Sequence, residues 1–218
     1  MGGVRALWTD RDHGDLQPVR STHATPIVPG GPVGDGPCHQ LRQVHGSVVH
    51  VVTGDAAEAV PIGDALVSAD PTARLLILTA DCASIALGSP EGAFAAVHAG
   101  WRGLAAGVIE SAAAAMRDAG ASAVAGSLGP CIHAECYAFS QSDLSSLAVR
   151  YGDQVRGITS GGGVALDLPA TVRAAFARAG VTEAPGVDRC TACDERYFSH
   201  RARGDTGRQA LIVWRDGP

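Results

Sequence analysis

Asp81-Cys82 closes the apolar run Leu75-Leu76-Ile77-Leu78, and His98 closes a second run, Ala93-Phe94-Ala95-Ala96-Val97. Both runs read as short buried strands, with Gly88-Ser89-Pro90-Glu91-Gly92 as a turn between them. A thiol and an imidazole therefore fall at two strand ends. Such a pair supports two chemistries. In one, a thiolate is the nucleophile and the imidazole its base, as in cysteine hydrolases and deamidases. In the other, both bind a metal. His45, at a chain break beside Gly46, offers a third donor. One Cys and two His leave the fourth position of a tetrahedral zinc open, the pattern of a catalytic site. A metal held in this way lowers the pKa of its bound water to roughly 7. The separations along the chain, 37 residues from His45 to Cys82 and 16 from Cys82 to His98, exceed any local motif. A buried, inert Cys82 is the plain alternative.

Arg102 stands between Gly100 and Gly103, just ahead of a helix that the sequence starts near Leu104. Helix N–H groups and a guanidinium fork there would converge on phosphate or carboxylate. The plain alternative is a surface arginine paired with an acidic neighbour. Trp101 reads as core. Asp81 is a candidate to orient a metal-binding histidine. Cys190-Thr-Ala-Cys193 has the spacing of half a zinc ribbon or of a redox motif, but no second CxxC completes a ribbon, so a structural role is preferred. It leads into Asp194–Phe198, read as a loop and strand.

These residues need positioning elements. Residues 1–37 are rich in Pro, Gly and His and predict irregular structure, with His13 and His23 on the surface. Leu41–Val52 predicts two strand segments broken near Gly46. Asp64–Ser68 predicts a short strand, Val124–Leu128 another, broken by Gly129-Pro130, and Gln209–Trp214 a last one. Helices are predicted over Leu104–Ala119, Asp143–Tyr151 and Leu168–Ala179, the first and last stopped by Gly120 and Gly180. Gly161-Gly162-Gly163 lacks the surroundings of a phosphate loop. Strand pairs and helices without strict alternation favour α+β.

The chain has 218 residues, enough for one large or two small domains with a real core. It is 46% hydrophobic and 18% charged, which argues against disorder. Its net charge of −5, without a basic run, makes a nucleic-acid polymer a poor partner. No apolar stretch is long enough to span a bilayer, and no signal-peptide core is visible, so a cytoplasmic location is expected. In that setting the six cysteines need not form disulfides.

Eight separated motifs occur in one order. They are Gln43-Val-His45-Gly46, Asp64-Ala-Leu-Val67, Thr79-Ala-Asp-Cys82, Val97-His-Ala-Gly-Trp-Arg-Gly103, Gly129-Pro130 with Cys136-Tyr137, Cys190-Thr191, Phe198-Ser-His-Arg201 and Thr206-Gly-Arg208. Together they resemble the YfiH-like laccase-domain family, also called polyphenol oxidase or peptidoglycan editing factor proteins. The resemblance runs from about residue 40 to the C-terminus. It implies a single α+β domain over 1–218, a layered sandwich of mixed β-sheets flanked by helices, of the CNF/YfiH-like, cysteine-hydrolase type. It implies a zinc held by His45, Cys82 and His98, with copper as a substitute in vitro. It implies purine nucleoside phosphorylase activity on adenosine, inosine and methylthioadenosine, with adenosine deaminase activity beside it. The partners are then a small nucleoside and phosphate, in a monomer or small homo-oligomer. Catalytic residues on this reading are Cys82, His45, His98, Arg102 and Asp81; substrate-binding residues are Gln43, Arg102, Tyr137 and Arg201.

The chain departs from the family pattern in three places. The region before Gln43 is short and lacks the usual Ser-Leu-Asn and Asn-Arg segments. Ala83-Ser84 replaces the usual residues after the cysteine. His133 stands where the family has Gly, read here as a loop substitution. Two other activities are described for the family: copper-dependent phenol oxidation and editing of peptidoglycan precursors. A four-copper oxidase needs about ten clustered His ligands; this chain has eight His in total and no His-x-His. A metal-independent cysteine hydrolase or amidase, using Cys82 and His98 but not His45, is the chief alternative. A non-enzymatic binding module ranks last.

Overall fold

Alternating apolar residues dictate the layers. In the strand β6 (Ala83–Gly88) Ile85 and Leu87 face one side and Ala86 the other; in β7 (Phe94–Ala99) Ala95 and Val97 oppose Phe94 and Ala96. Both sides are covered, so every residue of both strands is buried. The computed structural model describes residues 3–16, 38–54 and 60–216.

Six strands form the larger sheet, in the order β11 (Val181–Glu183), β8 (Val124–Leu128), β6, β7, β4 (Ala65–Ser68) and β3 (Val49–Val52). The central pairs β8/β6, β6/β7 and β7/β4 are antiparallel, and the outer pairs β11/β8 and β4/β3 are parallel. A second sheet runs β1 (Val4–Trp8), β12 (Gln209–Arg215), β5 (Arg74–Thr79) and β2 (Cys38–His39). It lies on one face of the first, closing a core that includes Leu75, Ile77, Phe94, Leu211 and Val213. Helices α1 (Trp101–Ala106), α2 (Val108–Asp118), α3 (Gln141–Tyr151) and α4 (Leu168–Ala179) cover the other face, over Ile85, Val97, Ile109, Met116 and Phe176. Each such side chain, once fully buried, stabilises the fold by about 1.5–3 kcal/mol before chain entropy is counted. A small hairpin, β9 (Arg156–Ile158) with β10 (Val164–Leu166), and a short helix α5 (His200–Arg203) complete the strands and α-helices among the described residues. The result is the expected α+β sandwich of mixed sheets and helices.

Several local expectations fail. Residues 1–37 are not uniformly irregular: Val4–Trp8 is a strand paired antiparallel with β12. His13 is half-buried and bonds Asp10 at 2.7 Å, while His23 lies outside the described residues. Leu41–Val52 yields one strand, not two, because its first half makes only an isolated bridge, Arg42 to Ile62. The predicted helix 104–119 starts earlier, at Trp101, and breaks at Gly107, whose φ of 85° is left-handed. Asp194–Phe198 forms turns rather than a strand.

Candidate active site and metal centre

The site sits where β5 passes into β6 and where β7 ends. Among the described residues only two non-glycine residues have positive φ, His45 at 61° and Asp81 at 92°. Each lies in the site, and each is held by a buried carboxylate network that offsets its backbone strain. His45 is held by Asp64. The Asp64 carboxylate is fully buried and accepts the backbone N–H of His45 at 2.9 Å and of Gly46 at 2.7 Å. It also accepts the His98 Nδ1–H at 2.8 Å. One side chain thus shapes the His45 turn and aims the His98 ring. Burial opposes its ionisation, but the His98 ring and the Gly46 and His45 amides hold its pKa below the usual carboxylate value.

An ionised carboxylate can only accept, so Nδ1 of His98 carries a proton and Nε2 is left for a metal ion, which would displace any proton held there. His45 Nε2 lies 3.8 Å from Cys82 Sγ, and the His45 and His98 rings meet edge-on with centroids 4.8 Å apart. One donor atom from each of His45, Cys82 and His98 falls within 4.8 Å of the others. Zinc–ligand lengths of about 2.0–2.3 Å place neighbouring ligand atoms of a tetrahedral site about 3.3–3.8 Å apart, which the His45–Cys82 pair matches and the other pairs reach with small shifts. A Cβ on Gly100 would stand 2.7 Å from His45 Cδ2 and 3.2 Å from Cys82 Sγ, so the cradle needs glycine there. This borderline-soft nitrogen and sulfur set fits a zinc or copper ion. Burial alone would raise the Cys82 pKa; the facing His98 and His45 more than offset that and lower it to about 6. Burial likewise opposes protonation of His98, yet the Cys82 thiolate and Asp64 raise its pKa to about 9.

Asp81, expected to orient a histidine, does not do so. Its carboxylate accepts from Thr191 Oγ1, Ser199 Oγ and the Arg201 backbone N–H, each at 2.7 Å. It pins the 190–201 loop beside Cys82, while Asp64 has the orienting role. A carboxylate opening a buried strand was the available signal for Asp64, but its two partners, 19 and 34 residues away, are set by the sheet.

A cavity of about 890 Å³ opens on the three donors. Its lining includes the apolar residues Leu41, Val60, Leu78 and Tyr137 and the basic residues Arg42, Arg201 and Arg208. Gln43 lines it too, with both amide ends paired to the Leu78 backbone, at 2.8 and 2.9 Å. Arg201 lies 5.1 Å over the Tyr137 ring and donates to the Ala138 carbonyl at 3.1 Å. Arg102 is not among the lining residues: it sits in the first turn of α1, exposed, its guanidinium 4.4 Å over Trp101. Arg42 escaped the sequence reading, and Arg208 entered it only within the Thr206-Gly-Arg208 motif, without a site role, because no local pattern ties either to the donors. His133 caps the turn Ala134–Cys136 and stays out of this cavity.

The family model for multi-copper polyphenol oxidoreductase laccase matches residues 32–216. The chain is 36% identical over 184 residues to a purine nucleoside phosphorylase of Streptomyces coelicolor, covering 81% of this chain and 74% of that protein. It is 34% identical over 186 residues to the purine nucleoside phosphorylase YfiH of Shigella flexneri, covering 80% and 72%. A solved Neisseria meningitidis protein superposes with a TM-score of 0.80 at 30% identity, over 100% of this chain and 96% of that one. Bacillus licheniformis YfiH gives the same TM-score, 0.80, at 23% identity, over 98% and 93%, a likeness of fold. The eight ordered motifs, the layered sheets and these matches agree: the chain belongs to the multi-copper polyphenol oxidoreductase laccase family, the YfiH-like proteins.

Proposed function

We propose that the chain is a zinc-dependent purine nucleoside phosphorylase acting on adenosine, inosine and methylthioadenosine, with adenosine deaminase activity. The observation that carries this reading is one cavity lined by the His45/Cys82/His98 donor set together with apolar and basic residues. The names of the relatives support the reaction class. His45, Cys82 and His98 would hold the metal, which when bound supplies a Lewis acid at the cavity wall.

The protein's own residues do the rest. The apolar lining residues Leu41, Val60, Leu78 and Tyr137 take the base and exclude water from it. Arg201 and Arg208 hold the phosphate. In phosphorolysis an oxygen of hydrogen phosphate forms a bond to C1′ while the C1′–N9 bond breaks, and the base leaves with that electron pair and takes the proton that the phosphate gives up. Asp81 is the sole carboxylate among the described lining residues, and it is engaged by Thr191, Ser199 and Arg201. The cationic sugar carbon is therefore met by the phosphate itself, which the arginines fix in place. Asp64 keeps the His98 proton on Nδ1.

The test is inosine with and without inorganic phosphate. Ribose 1-phosphate and free base should form only with phosphate, and chelation should abolish the reaction until zinc is restored. Equal base release in phosphate-free buffer would overturn the phosphorylase reading.

One observation favours a second reading. Cys82, His98 and Asp64 also make a nucleophile–base–orienter series with a thiol lowered to about 6, suited to a metal-independent cysteine hydrolase or amidase. That enzyme would keep its activity after chelation and in a His45→Ala variant. The phenol oxidase reading needs one copper in the same three-donor site.

A further inference from the structure

A second group of metal-binding side chains lies outside that cavity. The turn Ala134–Cys136 brings Glu135 and Cys136 against Cys190 and Cys193, and one donor atom from each falls within 4.8 Å of all the others. Cys136 Sγ is 3.3 Å from Cys193 Sγ, and Cys193 Sγ is 3.7 Å from Glu135 Oε1. Cys190 is buried, and the His133 backbone N–H donates to its sulfur at 3.4 Å. The two chain segments are brought into line by a parallel bridge between Cys131 and Cys190, with Thr191 N–H donating to Cys131 O at 3.0 Å. All four cysteines involved are free thiols.

We propose that Glu135, Cys136, Cys190 and Cys193 form a closed, structural zinc site, distinct from the His45/Cys82/His98 centre. The Cys190-x-x-Cys193 pair lacks a second CxxC in the sequence; the fold supplies Glu135 and Cys136 in its place.

Four arguments carry this. Three thiolates and one carboxylate complete a tetrahedron with no position for water, the mark of a structural rather than a catalytic zinc. Zinc–sulfur bonds of about 2.3 Å put thiolates of one tetrahedron about 3.8 Å apart, so small shifts from the observed separations suffice. A backbone N–H aimed at Cys190 Sγ is the outer contact that steadies a metal-bound thiolate. A Cys136–Cys193 disulfide, the rival use of this geometry, would leave Cys190 and Glu135 without a role. Binding releases the three thiol protons, and the ion offsets two of the four ligand charges, leaving a dianionic centre at the protein surface where Glu135 and Cys193 are exposed.

The position says what the ion would do. Cys136 precedes Tyr137, which lines the cavity; Cys190 precedes Thr191, which holds Asp81 next to Cys82. The clip would fasten the segment that carries the cavity-lining Tyr137 to the segment that holds Asp81. It is a positioning device and touches no substrate.

Metal content of the full chain, expressed in zinc-supplemented medium and purified without chelator, tests the proposal. The parent should carry about two zinc ions per chain and Cys82→Ala about one, while the double variant Cys136→Ser/Cys193→Ser should also carry about one. Cobalt replacing the zinc gives an independent readout. Cobalt-loaded Cys82→Ala should keep intense sulfur-to-cobalt absorption from three thiolates, roughly threefold that of the double variant, whose only remaining site has one. If Cys82→Ala does not fold, His45→Ala/His98→Ala serves as the second way to empty the first centre. The proposal fails if the parent carries one ion and Cys82→Ala none. It fails equally if mass spectrometry finds a Cys136–Cys193 disulfide in parent protein that holds one ion.

Discussion

Asp64 and His98 meet through a 2.8 Å hydrogen bond between Oδ1 and Nδ1, inside the protein and away from water. The same carboxylate shapes the turn that carries His45. Two of three metal donors therefore depend on one side chain that is not itself a donor in the triad.

This makes Asp64→Asn informative. The change keeps the size but removes the charge, and one Asp64 oxygen that now accepts N–H bonds becomes an NH2 facing donors. Zinc affinity should fall by roughly 10- to 100-fold, the usual scale for losing an outer partner of a histidine ligand. Competition with a zinc chelator would measure it, with circular dichroism as the check on folding. Unchanged affinity in folded Asp64→Asn would remove the orienting role.

A pH test addresses Cys82. Its pKa is lowered to about 6, so in metal-free protein the thiolate fraction rises through pH 6 and is nearly complete by neutral pH. The sign for stability follows: a lowered pKa adds stability above the unfolded value near 9.0, and this is lost as pH falls through about 6. His98 runs the other way. Its pKa is raised to about 9, so its share is present below the unfolded value of 6.5 and is lost as pH rises through about 9. The rate of Cys82 alkylation, read by peptide mass spectrometry on chelated protein, should have a midpoint near 6. Zinc should protect the residue at every pH. A midpoint above 8 would contradict the pairing with His98 and His45.

Some of this was legible in the sequence and some was not. The strands β5, β7, β8 and β12 and the helix α4 follow from apolar runs with Gly or Pro stops. The strand β6 escaped, because Ser84 interrupts the short apolar run of Ala83-Ser-Ile-Ala-Leu-Gly88 and Gly88 reads as the start of a turn. The strand β1 escaped because it is specified by a partner some two hundred residues away, with Val4 opposite Arg215. The alanine-rich run hid the Gly107 break, since residues on both sides favour helix. At the site, Cys82 and His98 were legible as strand-end residues and His45 as the residue at a chain break. Asp64, Arg42, Arg208 and the meeting of Cys136 with Cys190 and Cys193 were not, because sheet pairing and loop crossing bring them together.

The phosphate arm separates two arginines. The sequence favours Arg102, but its guanidinium lies over Trp101, whereas Arg201 lines the cavity. Arg201→Ala should lower phosphorolysis by roughly 10² or more, the scale of removing an electrostatic clamp. Arg201→Lys should recover part of it, because a point charge lacks the planar fork. Arg102→Ala should cost less than about tenfold, with zinc retained in all three. If Arg102→Ala suffers the larger loss with its zinc intact, the phosphate belongs at α1 after all.

The last prediction concerns a residue with no side chain. Gly100 precedes α1, and its φ of −70° is open to any amino acid, so backbone conformation does not require glycine there. Space does. A Cβ would stand 2.7 Å from His45 Cδ2 and 3.2 Å from Cys82 Sγ, closer than carbon and sulfur tolerate. His45 is the exposed member of the triad and rests on a strained turn, so its ring will move before the buried strand β7 does. Gly100→Ala should therefore fold with little loss of stability, yet bind zinc at this centre at least about tenfold more weakly, since one ligand is displaced. Competition with a chelator gives the affinity, and thermal unfolding of the metal-free protein gives the stability. A folded Gly100→Ala with parental zinc affinity would show that His45 is not a ligand, because the added methyl group cannot coexist with the ring where it stands.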